Sequence, residues 1–295
     1  MPDSASRKFI DLIFQSSSKW ANWDPPIPIK VGDYGTIDRK TGVLIVKGNI
    51  YDETFQESLT QQGLMINLSS CQPVKGAVEG DMIMSSIGVK TGEISLTPQV
   101  SALDLASASI NAEFQFQEGR RGAVLVMHKP QQEYIPQGRV LSIIHEAREL
   151  KDKYIVSSTF TCPGFYLYLS NKSGEKVKLA LTANAPVAAA IGVSAGGGAS
   201  VDWWTDTQAA LLRKAFDQAG QYRYTPLFDL KRRQHWFERT FRGVEEHPTE
   251  DDMWPDCSPP WNPLDEDGNE EDAYDESDED SVPPQSAVEG SFPFA

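Results

Sequence analysis

From Glu245 to Ala295 this 295-residue chain has no Lys or Arg, against 18 Asp and Glu. The whole chain nets −15, but residues 1–244 carry 27 basic and 24 acidic side chains, a net of +3. A mildly basic body followed by a strongly acidic tail suggests a body that meets an anionic surface and a tail that competes for it. Cysteine is scarce too. Cys71, Cys162 and Cys257 are too few and too scattered for a disulfide framework, and none forms a Cys-x-x-Cys pair. The first residues lack the apolar core of a secretory signal, so a reducing cytosol is the expected compartment.

Long hydrophobic runs are missing as well. Residues 179–201 are uncharged, but they are Ala, Gly, Ser and Thr with few large apolar side chains. That composition excludes a spanning helix and predicts a pliable strand followed by a glycine loop. The familiar catalytic patterns are not there. His128, His145, His235 and His247 stand at no metal-ligand spacing, and Gly196-Gly197-Gly198 lacks the Gly-Lys-Ser/Thr ending of a phosphate loop. No Gly-x-Ser-x-Gly elbow occurs, and Cys162 is expected as a sheet or turn residue. The expectation is no enzyme, no catalytic residue, no metal and no cofactor. Nucleic acid is excluded as a partner by the small net charge of the body, in which Lys231-Arg232-Arg233 is the longest basic cluster.

What is present is 40% hydrophobic and 23% charged, enough to bury a core. Residues 5–17 set Phe9, Ile10, Ile13 and Phe14 at helical spacing beside Arg7 and Lys8, a short basic amphipathic helix. Two further helices are expected at 139–151, from Val140, Ile143, Ile144, Ala147 and Leu150, and at 206–219, closed by Gly220. Ile110, Ala112, Phe114 and Phe116 alternate with polar residues as a strand, with 123–127 as its expected partner. A hairpin is expected over 165–182, turning at Lys172-Ser173-Gly174. It sets Phe165, Leu167 and Leu169 opposite Leu181, Leu179 and Val177 as an apolar face. Tyr166, Tyr168, Lys176 and Lys178 then fill a polar face. The fold class is α+β: a twisted, mainly antiparallel sheet, a basic N-terminal helix and further packed helices, then a disordered acidic tail. Eleven acidic positions within 265–280 self-repel and favour disorder, whereas the aromatics of Trp254–Trp261 are suited to dock on the body.

The stretch Trp20-Ala-Asn-Trp23-Asp24-Pro25-Pro26 through Gly32-Asp33-Tyr34-Gly35 to Thr41-Gly42, with Gly48-Asn49-Ile50-Tyr51, resembles the opening of fungal gasdermin-like proteins. The succession that follows is similar as well: a helix ending at Leu150–Lys153, Tyr154–Ser158, a long hairpin, a helix, and Tyr224–Lys231. Together the similarity covers roughly residues 5–235. The resemblance implies a pore-forming domain at 1–244 that binds acidic phospholipids, oligomerises and extends hairpins into a β-barrel that kills the cell. It further implies a homo-oligomer, with a hetero-oligomer as the alternative, in the cytoplasm when inactive and at the plasma membrane when active. Vertebrate members are held off by a large C-terminal domain; here only about 50 residues follow Val244. Some fungal relatives carry such a short segment and lose it to a subtilisin-like protease, while others have none, so repression by 245–295 stays open at this stage.

On that basis Arg7, Lys8 and Lys19 on the first helix are the expected lipid contacts, each contributing about 1 kcal/mol at an anionic leaflet. Phe165, Leu167, Leu169, Val177, Leu179 and Leu181 are the expected insertion hairpin. A bilayer accepts such ribbons only as a closed barrel, which requires many copies. An activating protease is expected to cut between about Trp236 and Glu250, where Trp236, Phe237, Arg239, Phe241 and Arg242 offer aromatic and basic sites. The alternative is a non-lytic lipid- or glycan-binding module whose acidic tail recruits partners.

Overall fold

In the computed structural model, which describes residues 4–64, 68, 71–93, 108–136, 138, 140–184, 200–206, 210–234 and 249–271, the first element is α1 (Ser4–Ser17). Its Phe9, Ile10 and Ile13 are fully buried, as their helical spacing requires. Then come β1 (Trp20–Ala21), β2 (Asp33–Ile37), β3 (Leu44–Asn49), α2 (Glu53–Gln61), β4 (Val74–Val78), β5 (Met82–Ser85) and β6 (Lys90–Gly92). The middle of the chain supplies β7 (Ile110–Gln115), β8 (Ala123–His128), β9 (Gln131–Tyr134), β10 (Tyr154–Cys162), β11 (Gly164–Leu169) and β12 (Lys176–Asn184). It closes with β13 (Ser200–Asp206), β14 (Leu211–Phe216), β15 (Tyr224–Arg232) and a one-turn helix α3 (Glu250–Met253).

All strand pairs among the described residues are antiparallel, and they form three sheets. The large sheet runs β1-β15-β10-β2-β3, with β9 and then β4 added beside the second half of β10. The central sheet runs β14-β11-β8-β5 and the outer sheet β13-β12-β7-β6. Adjacent residues of β8 and β11 point to opposite cores. Leu125, Met127, Phe165 and Leu167 pack with α1 and the large sheet, whereas Val124, Val126, Tyr166 and Tyr168 pack with Phe114, Val177 and Leu179 of the outer sheet. The central sheet is therefore buried on both faces. A third cluster joins α2, Val140–Leu150 and Ile155.

Four expectations are corrected here. Residues 140–150 form turns and a single 3-10 turn, Arg148–Leu150, instead of an α-helix. The carbonyls that a helix would use internally are taken from outside: Trp254 Nε1 donates to Leu141 O, and Arg233 Nη1 donates to His145 O and Ala147 O. Residues 211–216 are strand β14, paired along their length with β11, and Gly220 (φ +68°) turns the chain after Asp217 rather than capping a helix. The 165–182 hairpin does not exist. β11 pairs with β8 and β14, β12 pairs with β7 and β13, and the Lys172–Gly174 loop crosses between layers. For the same reason β7 pairs with β12 and β6, and not with 123–127. The expected glycine loop at 185–199 lies outside the described residues.

Candidate functional site: a basic helix under an acidic strap

Half of the acidic tail is folded. Residues 249–271 cross the body as a strap: the docking expected of Trp254–Trp261 is seen, and the expectation of disorder is corrected for 265–271, while 272–295 lie outside the described residues. The strap begins at a capping box, in which Thr249 Oγ1 accepts from Asp252 N while the Asp252 carboxylate accepts from Thr249 N. Trp254 is fully buried against the 140–150 turns, as its aromatic character foretold. Lys231 donates to Asp251 Oδ1 at 3.0 Å and to Trp254 O at 3.1 Å, and pairs with Asp256 at 3.1 Å. Burial opposes the charge on Lys231, but these partners outweigh it and raise its pKa. Trp20 Nε1 donates to Cys257 O at 3.0 Å, and Trp261 meets Trp20 edge-on and donates to Asp11 Oδ1 at 3.2 Å.

The strap then closes over the start of α1. Asp265 accepts the N–H groups of Asp267 and Asn269, both at 2.8 Å, and folds 265–269 into a tight turn. Those N–H groups, Asn269 foremost, hold the Asp265 carboxyl below the ordinary range. Gly268 at the turn's apex has φ +86°, and a Cβ there would overlap the Ser4 carbonyl oxygen, so only glycine allows this approach. Arg7 donates Nε and Nη2 to Gly268 O at 3.1 and 2.6 Å, donates Nη1 to Arg39 O, and pairs with Glu270 at 3.1 Å. Lys8 Nζ donates to Leu264 O at 3.2 Å. Arg39 also pairs with Glu270, and Lys172 and Arg121 pair with Asp267. Arg7 and Lys8, only 9% and 4% exposed, are thus covered by the tail.

Lys19 stands apart. It lies beyond the end of α1, not on it, and pairs with Asp229 at 3.0 Å while sitting over the Phe160 ring. It lines a cavity of about 980 Å³ whose opposite wall includes Glu250, Asp251 and Asp256 of the strap. The six expected insertion residues are all buried, but on opposite sides of the central sheet: Phe165, Leu167 and Leu169 with α1, and Val177, Leu179 and Leu181 under the outer sheet. Their partners Tyr166 and Tyr168, expected to face solvent, are buried between the sheets. Trp236, Phe237, Arg239, Phe241 and Arg242 lie outside the described residues, in the segment that joins β15 to the strap.

Among the described residues no cluster of three or more His, Cys, Asp or Glu is arranged to hold a metal ion. Burial pushes the thiols of Cys162 and Cys257 up to about 12, away from the thiolate form a nucleophile needs. No described helix is long and apolar enough to cross a membrane.

The two classes of contact differ in what they contribute. Trp254 and Leu264 are buried, which removes apolar surface from water and favours docking of the strap. Ion pairs near solvent contribute about 0.2–1 kcal/mol each and weaken with salt. Since Arg7 and Lys8 would regain water if the strap were removed, their pairs add little to how tightly it is held. Comparison with protein-family models, curated proteins and solved structures finds no match to this chain.

Proposed function

We propose that this chain is a gasdermin-like pore former, cytoplasmic until activated, whose acidic strap keeps its basic first helix from acidic lipids. The observation that carries the reading is the coverage of Arg7 and Lys8 by Leu264, Gly268 and Glu270. Cleavage in the 236–248 segment would leave the strap without a covalent tether. Detached, it would uncover the basic face for an anionic plasma-membrane leaflet, where the body would oligomerise, with itself or with a related chain, and permeabilise the membrane. Since β11 and β12 belong to different sheets, insertion as ribbons would first require the central and outer layers to part.

The test is dye release from phosphatidylserine vesicles by the full chain carrying an engineered protease site in 236–248. Leakage only after cleavage, lost in an Arg7→Glu/Lys8→Glu variant, supports the proposal. Cut protein that stays monomeric on such vesicles, with their contents retained, overturns it; binding without leakage favours the non-lytic lipid-binding module.

A further inference from the structure

We infer that a recess beside the strap, lined by Lys8, Arg120 and Arg121, is a binding site for a phosphate monoester, and that the Glu266 carboxylate on its wall holds the Arg121 N–H that this ligand would take. The recess has a volume of about 270 Å³ and lies between the Ile87–Val89 turn and the 117–122 loop, with Gln15 and Gln117 also on its wall. Glu266 Oε2 accepts the backbone N–H of Arg121 at 2.7 Å, and Leu264 enters beside it. Three cations and one carboxylate thus line the same recess, and none of the three is ion-paired to that carboxylate; a phosphate dianion would engage this excess of positive charge better.

A simple latch accounts for Glu266 but not for the rest of the wall. Arg121 Nε is buried with no hydrogen-bond partner, and its guanidinium approaches an acid only at 3.8 Å, toward Asp267. Arg120 lines the recess without an ion pair among the described residues. An unused guanidinium N–H and an unpaired cation around a carboxylate are the donors that the extra oxygens of a phosphate would take. Ile87, 80% exposed, stands at the rim. A bare apolar side chain next to a phosphate-binding recess suits a phosphate presented on a lipid surface, with Ile87 at the acyl boundary.

The inference rests on the strap being a removable cover, as in the proposed function, but not on pore formation. The experiment therefore uses the full-length chain and reads binding, not leakage. Glu266→Ala removes the carboxylate from the recess wall and frees the Arg121 N–H, while Trp254 and Gly268 keep the strap in place. It is titrated with glycerol phosphate and floated with vesicles of phosphatidylcholine with or without phosphatidic acid. The variant is expected to bind glycerol phosphate at least about tenfold more tightly than the unaltered chain. It should also float with phosphatidic acid vesicles, and a second change, Arg120→Ala, should reverse both effects. Adding Ile87→Ser should weaken flotation and leave glycerol phosphate binding unchanged. Glycerol phosphate binding without flotation keeps the site and assigns it a soluble ligand. Flotation without glycerol phosphate binding, or no difference between Glu266→Ala and the unaltered chain, overturns the inference.

Discussion

Arg7 and Gly268 meet across 261 residues of chain, with the guanidinium of one donating twice to the carbonyl of the other. The contact depends on the turn geometry at Gly268, where φ is +86° and the Ser4 carbonyl leaves no room for a Cβ.

Gly268→Ala is therefore expected to lift the 262–271 end of the strap while leaving Trp254 docked. The positive φ and the overlap together cost about 1–3 kcal/mol locally. Hydrogen exchange should show faster exchange at 265–269 with unchanged protection in β8 and β11. Protection preserved at 265–269 would mean that the turn tolerates a side chain.

Trp254→Ala removes a fully buried indole and its hydrogen bond to Leu141 O. A loss of about 3–5 kcal/mol is expected, by analogy with large-to-small changes in cores. Denaturant midpoints of the two proteins check it, and a change below about 1 kcal/mol would contradict the anchoring role.

Asp11 is expected to cost stability at neutral pH. Burial raises its pKa, against the hydrogen bond from Trp261 and the nearby Lys8 and Arg7. A carboxyl whose pKa is raised on folding favours the folded state while protonated and loses that advantage as pH rises through the folded value. Asp11→Asn keeps an acceptor for Trp261 without the charge, and it should raise the thermal midpoint by about 2–4 °C for each kcal/mol recovered. A lower midpoint at pH 7 would show that the charge on Asp11 matters more to Lys8 and Arg7 than its burial costs.

Acidification should loosen the 265–269 turn. Asp265 has its pKa lowered chiefly by the N–H of Asn269, so its contribution is present above the ordinary carboxylate range and is lost as pH falls through the depressed folded value. Amide protection at Asp267 and Asn269, followed from pH 7 downward, should fall in that window. Protection that persists below it would remove Asp265 as the organiser of the turn.

The parts of this fold that were legible in the sequence are those with one buried face. α1 shows a helical stripe and β7 a clean alternation, and both form where their periods place them. β11 and β14 pack on both sides, so apolar residues occupy both phases. In β14 that pattern imitates a helix, and in β11 it let Tyr166 and Tyr168 pass for a solvent face. Val140, Ile144, Ala147 and Leu150 are buried as their stripe foretold, yet their backbone is turned by Trp254 and Arg233, partners about 90–110 residues away. In the strap, charge density pointed to disorder. The Asp265-x-x-Gly268-Asn269 turn signature was the one local hint that the acids were organised.

Arg7 leaves the ribosome 261 residues ahead of the glycine that covers it. At a synthesis rate of 5–20 residues per second, the helix waits roughly 13–50 s for its lid. If the proposed function is right, nascent chains pass through that interval with their basic face bare. Under the same proposal, a message truncated ahead of codon 249 would make the interval permanent and turn a translation error into a toxic product.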